Sequence, residues 1–138
     1  AYWTNPGESG EVTVTFSSVD PLNLADDFEV FCRDTYVCGL VTNPEDRQPS
    51  VTFDFHDRQI IPTHYTLRCG DPKMAPRNWR LEASLDGSFW AAIRIHVQDK
   101  TLQKNQDAHT WPITLNPTLK GPFTKFRIVG TGNNSGDT

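Results

Sequence analysis

The sequence predicts an all-β domain, a β-sandwich or jelly roll built from eight or so short strands. Three observations carry that expectation. Several short runs alternate apolar and polar residues with a period of two, as half-buried strands do. The segments between them are rich in Pro, Gly, Asp and Asn, and none shows a useful apolar stripe at helical spacing. Finally, Asp86-Gly87 separates two alternating runs within Trp79 to His96, and this pair reads as a hairpin turn because both residue types tolerate positive φ. On this reading Trp79, Leu81, Ala83, Leu85, Phe89, Ala91, Ile93 and Ile95 face inward. Arg80, Glu82, Ser84, Trp90, Ala92, Arg94 and His96 face outward.

The remaining elements follow in order. Tyr2 and Trp3 open the chain and are expected to cover the rim of a core, since their rings are costly to leave in water. Glu11 to Phe16 is a first strand with Val12, Val14 and Phe16 on one side, and Asp20-Pro21 breaks it. Asn23 to Gly39 reads as loops with a short strand around Phe28 to Cys32, and Thr42 to Pro49 is rich in turn formers. Alternation returns through Val51, Phe53 and Phe55. Ile61 to Cys69 is another strand, with Pro62 at its start or at an edge because proline cannot donate to a ladder. Asp71 to Asn78 is a loop. Asp99 to Ala108 is polar, with room for a short helical turn. Trp111, Ile113 and Leu115 make a short strand interrupted by Pro112, and Lys120-Gly121-Pro122 a turn. In the last strand Phe126 and Ile128 alternate with Lys125, Arg127 and Val129. Trp79, Trp90 and Trp111 are expected as core or barrel-edge rings.

At 138 residues and 36% apolar content, residues 1–138 are expected to form one domain. A domain of that size buries about two thirds of the surface its unfolded chain exposes. Thirteen Lys and Arg against 17 Asp and Glu give a formal charge of -4, which argues against nucleic acid or an anionic membrane as the main partner. No stretch approaches the ~18 apolar residues of a spanning helix, and only Leu40-Val41 and Met74-Ala75 offer apolar loop tips for membrane insertion. No basic or apolar leader precedes Ala1, as in a mature form or, the favoured reading, a domain excised from a longer protein. The isolated domain is expected to be monomeric. Cys32, Cys38 and Cys69 leave an odd thiol in any pairing, which favours an intracellular over a secreted setting, although Cys32 and Cys38 can close a small loop in a secreted protein. The one N-x-Ser/Thr acceptor without Pro is Asn133-Asn134-Ser135.

Several blocks together are similar to a known group. Asn5-Pro6 precedes a Val-Thr-Val-Thr strand, followed by IIPTHYTLR at 60–68, NWRLEASLDGSFW at 78–90 and FTKFRIVGTGNNSG at 123–136. This order resembles the discoidin, or F5/8 type C, galactose-binding-like domains. It resembles most their intracellular branch, found beside BTB, kelch, ankyrin or ubiquitin-ligase modules. The resemblance spans nearly the whole chain and implies an eight-stranded antiparallel jelly-roll β-sandwich with ligands held by loops at one end. Relatives of this kind bind sugars, phospholipids, collagen or protein segments. The chain departs from the secreted members in having no cysteine at either terminus to bridge to the other.

No Gly-x-Ser-x-Gly elbow, His-Glu-x-x-His helix, Cys-x-x-Cys pair or phosphate-cradling glycine loop is present, and His56, His64, His96 and His109 have no partner visible in sequence, so no enzymatic activity is expected. Asp20, Asn23, Asp26 and Asp27 fall in one loop and offer oxygens to a calcium ion. A solvated acidic turn is the alternative. Strand parity places His64 and Arg68, Arg94 and His96, and Arg127 outward, so a cationic sheet face can hold a peptide terminus or acidic segment. Cross-strand pairing with Asp54 and Glu82 is the competing use of those cations. Among loop residues, Tyr36, Arg47, Arg77 and His109 are of the type that binds a sugar or a peptide. The function expected is a non-catalytic module that binds a protein segment within a larger, ubiquitin-ligase or BTB-type protein. A carbohydrate-binding module and a structural domain without a separable ligand are the alternatives.

Overall fold

The computed structural model describes residues 4–17, 48–68, 75–103 and 107–133. Among them the chain forms seven strands and no helix: β1 (Thr13–Phe16), β2 (Ser50–Asp54), β3 (His64–Arg68), β4 (Trp79–Ser84), β5 (Ala91–His96), β6 (Ala108–Pro112) and β7 (Lys125–Gly130). All pairings are antiparallel. One sheet has five strands in the order β1-β2-β7-β4-β5, and β3 with β6 forms a second, two-stranded sheet. The short strand expected at Phe28 to Cys32, Tyr2 and Trp3, and all three cysteines lie outside the described residues.

Where the two-residue period runs undisturbed, it places side chains as expected. Val12 and Val14 are buried while Thr13 and Thr15 are exposed. In the registers β2–β7 and β4–β7, Phe126 lies opposite Phe53 and Ala83, and Ile128 opposite Val51 and Leu81. These residues share one face because cross-strand partners project to the same side. That face meets the small sheet. Leu81, Ala83, Ile113, Phe123 and Phe126 form one buried cluster. Ala75, Trp79, Leu102 and Trp111 form another, against which Tyr65 and Leu67 of β3 pack. Trp79 and Trp111 are core rings, whereas Trp90 is half-buried.

Four expectations need correcting. The hairpin forms, but its connection is 85–90 rather than the Asp-Gly pair alone, because Asp86 Oδ1 accepts the amides of Ser88 (2.8 Å) and Phe89 (3.0 Å) and Gly87 adopts φ 81°. Leu85 and Phe89 therefore belong to the turn and are exposed rather than inward. Second, β5 carries a bulge. Leu81 pairs with Arg94 but Glu82 with Ala92, so Ile93 is an extra residue and the alternation inverts after it. Ile95, expected inside, is 64% exposed, and His96, expected outside, is 3% exposed. Third, the strand expected from Ile61 begins only at His64, after Pro62, and leaves Ile61 exposed. Fourth, the strand expected over Trp111 to Leu115 is β6, shifted to Ala108–Pro112, where it pairs with β3.

Candidate functional site

β4 and β2 begin, and β5 and β7 end, at one end of the sandwich. Asn78 ties the described loops there together. Its carbonyl accepts the Thr131 amide (3.0 Å), its Oδ1 the Gln98 amide (2.9 Å), and its Nδ2 donates to the Asn133 carbonyl (2.9 Å). Gly132 lies so close that an added Cβ would stand 3.1 Å from Asn78 Cβ. The Asp99 amide donates to the Arg77 carbonyl (2.8 Å), and the Gly130 amide to that of Pro49 (2.8 Å). The scaffold of this end is thus fixed by short main-chain links.

Beneath these loops lies an aromatic box. His96 stacks on Trp79 with ring centres 3.9 Å apart and planes at 12°. Trp111 meets Trp79 edge-on at 5.5 Å and stacks against Tyr65 at 5.3 Å. A polar chain threads the rings: Asp99 Oδ2 lies 2.8 Å from His96 Nδ1, His96 Nε2 bonds the Tyr65 hydroxyl, and Trp79 Nε1 donates to that same hydroxyl (3.1 Å). Burial depresses the His96 pKa, with Arg94 acting the same way and Asp99 opposing. A neutral ring satisfies every partner: Nδ1–H donates to Asp99, and Nε2 accepts from Tyr65. Burial works to raise the Asp99 pKa, but hydrogen bonds from Thr101 and His96 outweigh it and hold the carboxyl below its usual range. Burial pushes the Tyr65 phenol up to about 12, against the Trp79 hydrogen bond and the Arg94 charge. This Asp-His-Tyr chain joins Tyr65 of the small sheet to Trp79 and His96 of the large one.

At this end Arg77 is half-buried, and its Nε is enclosed with no hydrogen-bond partner among the described residues. His109, on β6, is exposed and sets its ring edge-on to Trp111 at 4.7 Å. Arg68 ends β3 opposite Ala108, next to His109 in sequence, whereas His64 lies at the far end of β3 opposite Pro112, bonded to Thr63 Oγ1 (3.1 Å). His109 thus stands against the aromatic box through Trp111, while Arg77 is tied toward it by its carbonyl, which accepts the Asp99 amide. Tyr36 and Arg47, and the calcium candidates Asp20, Asn23, Asp26 and Asp27, lie outside the described residues.

The single cationic sheet face expected from parity does not form. His64 and Arg68 belong to the small sheet, Arg127 to the large one, and the bulge turns His96 into the core. Arg94, on the same inverted segment, donates from Nη1 to the Pro112 carbonyl (3.2 Å). On the outer face of the large sheet, Arg127 and Arg80 both engage Glu82, while Lys125 stands 3.5 Å from Asp54. Burial would raise the Glu82 pKa, but the hydrogen bonds and charges of Arg80 and Arg127 keep it below the usual carboxylate range. Sequence reasoning missed the roles of Arg80, Trp90 and His96. Arg80 was legible as the outward neighbour of Glu82, but nothing in the sequence marks the bulge that buries His96.

No family model matches the chain. It is 34% identical over 139 residues to the E3 ubiquitin-protein ligase Ufd4 of Drosophila melanogaster, covering 99% of this chain, and 32% identical over 136 residues to the E3 ubiquitin-protein ligase hecd-1 of Caenorhabditis elegans, covering 96%. A BTB/POZ domain-containing protein of Arabidopsis thaliana is 27% identical over 135 residues, 94% of this chain. The chain spans 5% of the length of each ligase and 16% of the plant protein. Among solved structures it is similar to CpGH89CBM32-6 of Clostridium perfringens, with a TM-score of 0.62 and 19% identity over 95% of this chain and 91% of that one. It is also similar to CpGH89CBM32-5 of the same organism, in complex with GalNAc-beta-1,3-galactose, with a TM-score of 0.63 and 17% identity over 92% and 88%. Taken with the antiparallel sheets and the loop-rimmed end, these likenesses identify the fold as an all-β jelly roll of the discoidin, galactose-binding-like type.

Proposed function

We propose that this chain is a non-catalytic recognition module of a larger, intracellular polypeptide of the ubiquitin-ligase or BTB kind, and that its loop end captures a protein segment. Arg77 carries this reading. Its Nε is enclosed and has no partner among the described residues, and its main chain belongs to the loop-tied end. A buried donor without an acceptor costs ~1–3 kcal/mol, and a carbonyl or carboxylate of an incoming segment relieves that cost. The similarity to two ubiquitin ligases and a BTB/POZ protein supports the setting. A carbohydrate is the second reading, favoured by the disaccharide complex of CpGH89CBM32-5. Against it, the box rings Trp79 and Trp111 are only 1% and 4% exposed, so among the described residues neither offers its face to a sugar.

A glycan array run beside a peptide-library pulldown decides between them. Peptide capture lost in Arg77→Ala, with silent glycans, is the expected result, and a single orphaned charge-assisted bond predicts about a tenfold or greater loss. Glycan binding lost in that variant would replace the first reading with the second. Capture unaffected by it would remove Arg77 from the site.

A further inference from the structure

We propose that the outer face of the five-stranded sheet is a separate binding site, in which Arg80 and Arg127 receive a carboxylate of an extended acidic peptide with aliphatic neighbours. The face is built from cross-strand rows. Thr52, Arg127 and Glu82 lie side by side on β2, β7 and β4, and Ser50, Val129, Arg80 and Ile95 form the next row. Glu82 is buried, and each of its oxygens takes the Nε of one arginine, Oε2 from Arg80 and Oε1 from Arg127. Bonding through Nε alone leaves the Nη edges of both guanidinium groups uncommitted among the described residues. Both side chains are about one third exposed, 32% for Arg80 and 31% for Arg127, so neither is closed off from a ligand on this face.

Arg127 is held a second time. The Arg127 guanidinium carbon lies 4.1 Å from the centre of the Trp90 ring, and Trp90 is itself anchored by its Nε1 donating to the Gly87 carbonyl (3.0 Å). Fixing a guanidinium by stacking and by one ionic bond removes the side-chain entropy that a ligand would otherwise have to overcome. Two positive charges on one negative leave a residual charge of the sign that attracts a carboxylate. The fork geometry suits two parallel N–H···O bonds to it.

The surroundings select a peptide. Ile95, cross-strand from Arg80, is 64% exposed, and Val97 is 74% exposed two residues on. In an extended segment alternate side chains share a face ~6.7 Å apart, so aliphatic residues two and four positions from the carboxylate meet Ile95 and Val97. A sugar is disfavoured because one face of Trp90 is already taken by Arg127.

The probe is an acetylated, amidated heptapeptide, Ser-Glu-Ser-Val-Ser-Val-Ser, whose extended form sets the carboxylate and both aliphatic side chains on one face, compared with its glutamine counterpart. Both are titrated into the domain while the Trp90 indole N–H is followed by NMR and affinity is read by fluorescence anisotropy. The glutamate peptide is expected to shift the Trp90 indole and to bind about tenfold or more tightly than the glutamine peptide. Its affinity is expected to weaken in about 0.5 M salt. Thr52→Asp keeps both arginines but sets a competing carboxylate cross-strand from Arg127, and is expected to weaken binding about tenfold, with folding checked by thermal melting. Should that variant fail to fold, the peptide comparison decides alone. Equal binding of the two peptides, no binding, an unmoved Trp90 indole, or full affinity in a folded Thr52→Asp would each overturn the proposal.

Discussion

Glu82 and His96 show how a single buried polar group is held by its neighbours. Glu82 sits in the middle of the large sheet with two arginines on its two oxygens. Removing the carboxylate while keeping both cations leaves two half-buried positive charges side by side. Glu82→Ala is therefore expected to cost about 2–4 kcal/mol in urea unfolding, toward the lower end because both arginines keep some contact with water. Losing Arg80 alone is expected to cost less, since Arg127 remains to hold the carboxylate. His96 acts through protonation. Its folded pKa lies below the unfolded value of 6.5, so the unfolded chain takes up the proton first. The stabilisation is complete above that pH and is lost as pH falls through 6.5 toward the folded pKa. Melting temperature is expected to fall between about pH 7 and pH 5, and His96→Gln is expected to flatten that slope. An unchanged slope in the variant would transfer the effect to another group. Glu82, whose folded pKa is also depressed, adds a further loss only below about pH 4.5.

At the level of elements, β5 is where sequence and structure diverge most. The alternation from Phe89 to His96 reads as one uninterrupted strand, and Ile93 breaks it by occupying a position with no partner on β4. The same extra residue exposes Ile95 and lets His96 stack on Trp79. Ile95→Thr is accordingly expected to change stability by less than ~0.5 kcal/mol. Trp79→Ala removes a core ring that three aromatic neighbours touch, counting His96 and Trp111 by direct ring contact and Tyr65 through its hydroxyl, and is expected to cost ~3–5 kcal/mol. Chemical denaturation of the two variants side by side checks the register. A large loss in Ile95→Thr would mean that β5 runs without the bulge.

On the scale of the whole molecule, the plain two-residue period was enough to place β1, β2 and β7 and to set Phe126 and Ile128 inward against Lys125 and Arg127. Period alone does not say which sheet a strand joins. His64 and Arg68 share outward parity with Arg127 but lie on a different layer, which is why a common cationic face could not be inferred correctly. The pairing of Arg127 with Glu82 was legible, because both are outward positions on strands of one sheet. Arg77 was legible as a loop residue suited to binding, but that its Nε is enclosed with no partner among the described residues becomes visible only when burial is known. The polar chain from Asp99 to Tyr65 was not legible, since it joins strands from both layers and depends on the inversion in β5.

That inversion has a bearing on solubility. Among the described residues β5 ends the large sheet, with no hydrogen-bonded neighbour on its other side. Exposed aliphatic residues such as Ile95 and Val97 on a terminal strand invite another chain to add itself and start a fibre. A kinked strand presents its amides and carbonyls out of step, so an incoming strand cannot complete a regular ladder along it. The residue that spoils the sequence pattern thus doubles as a guard against polymerisation.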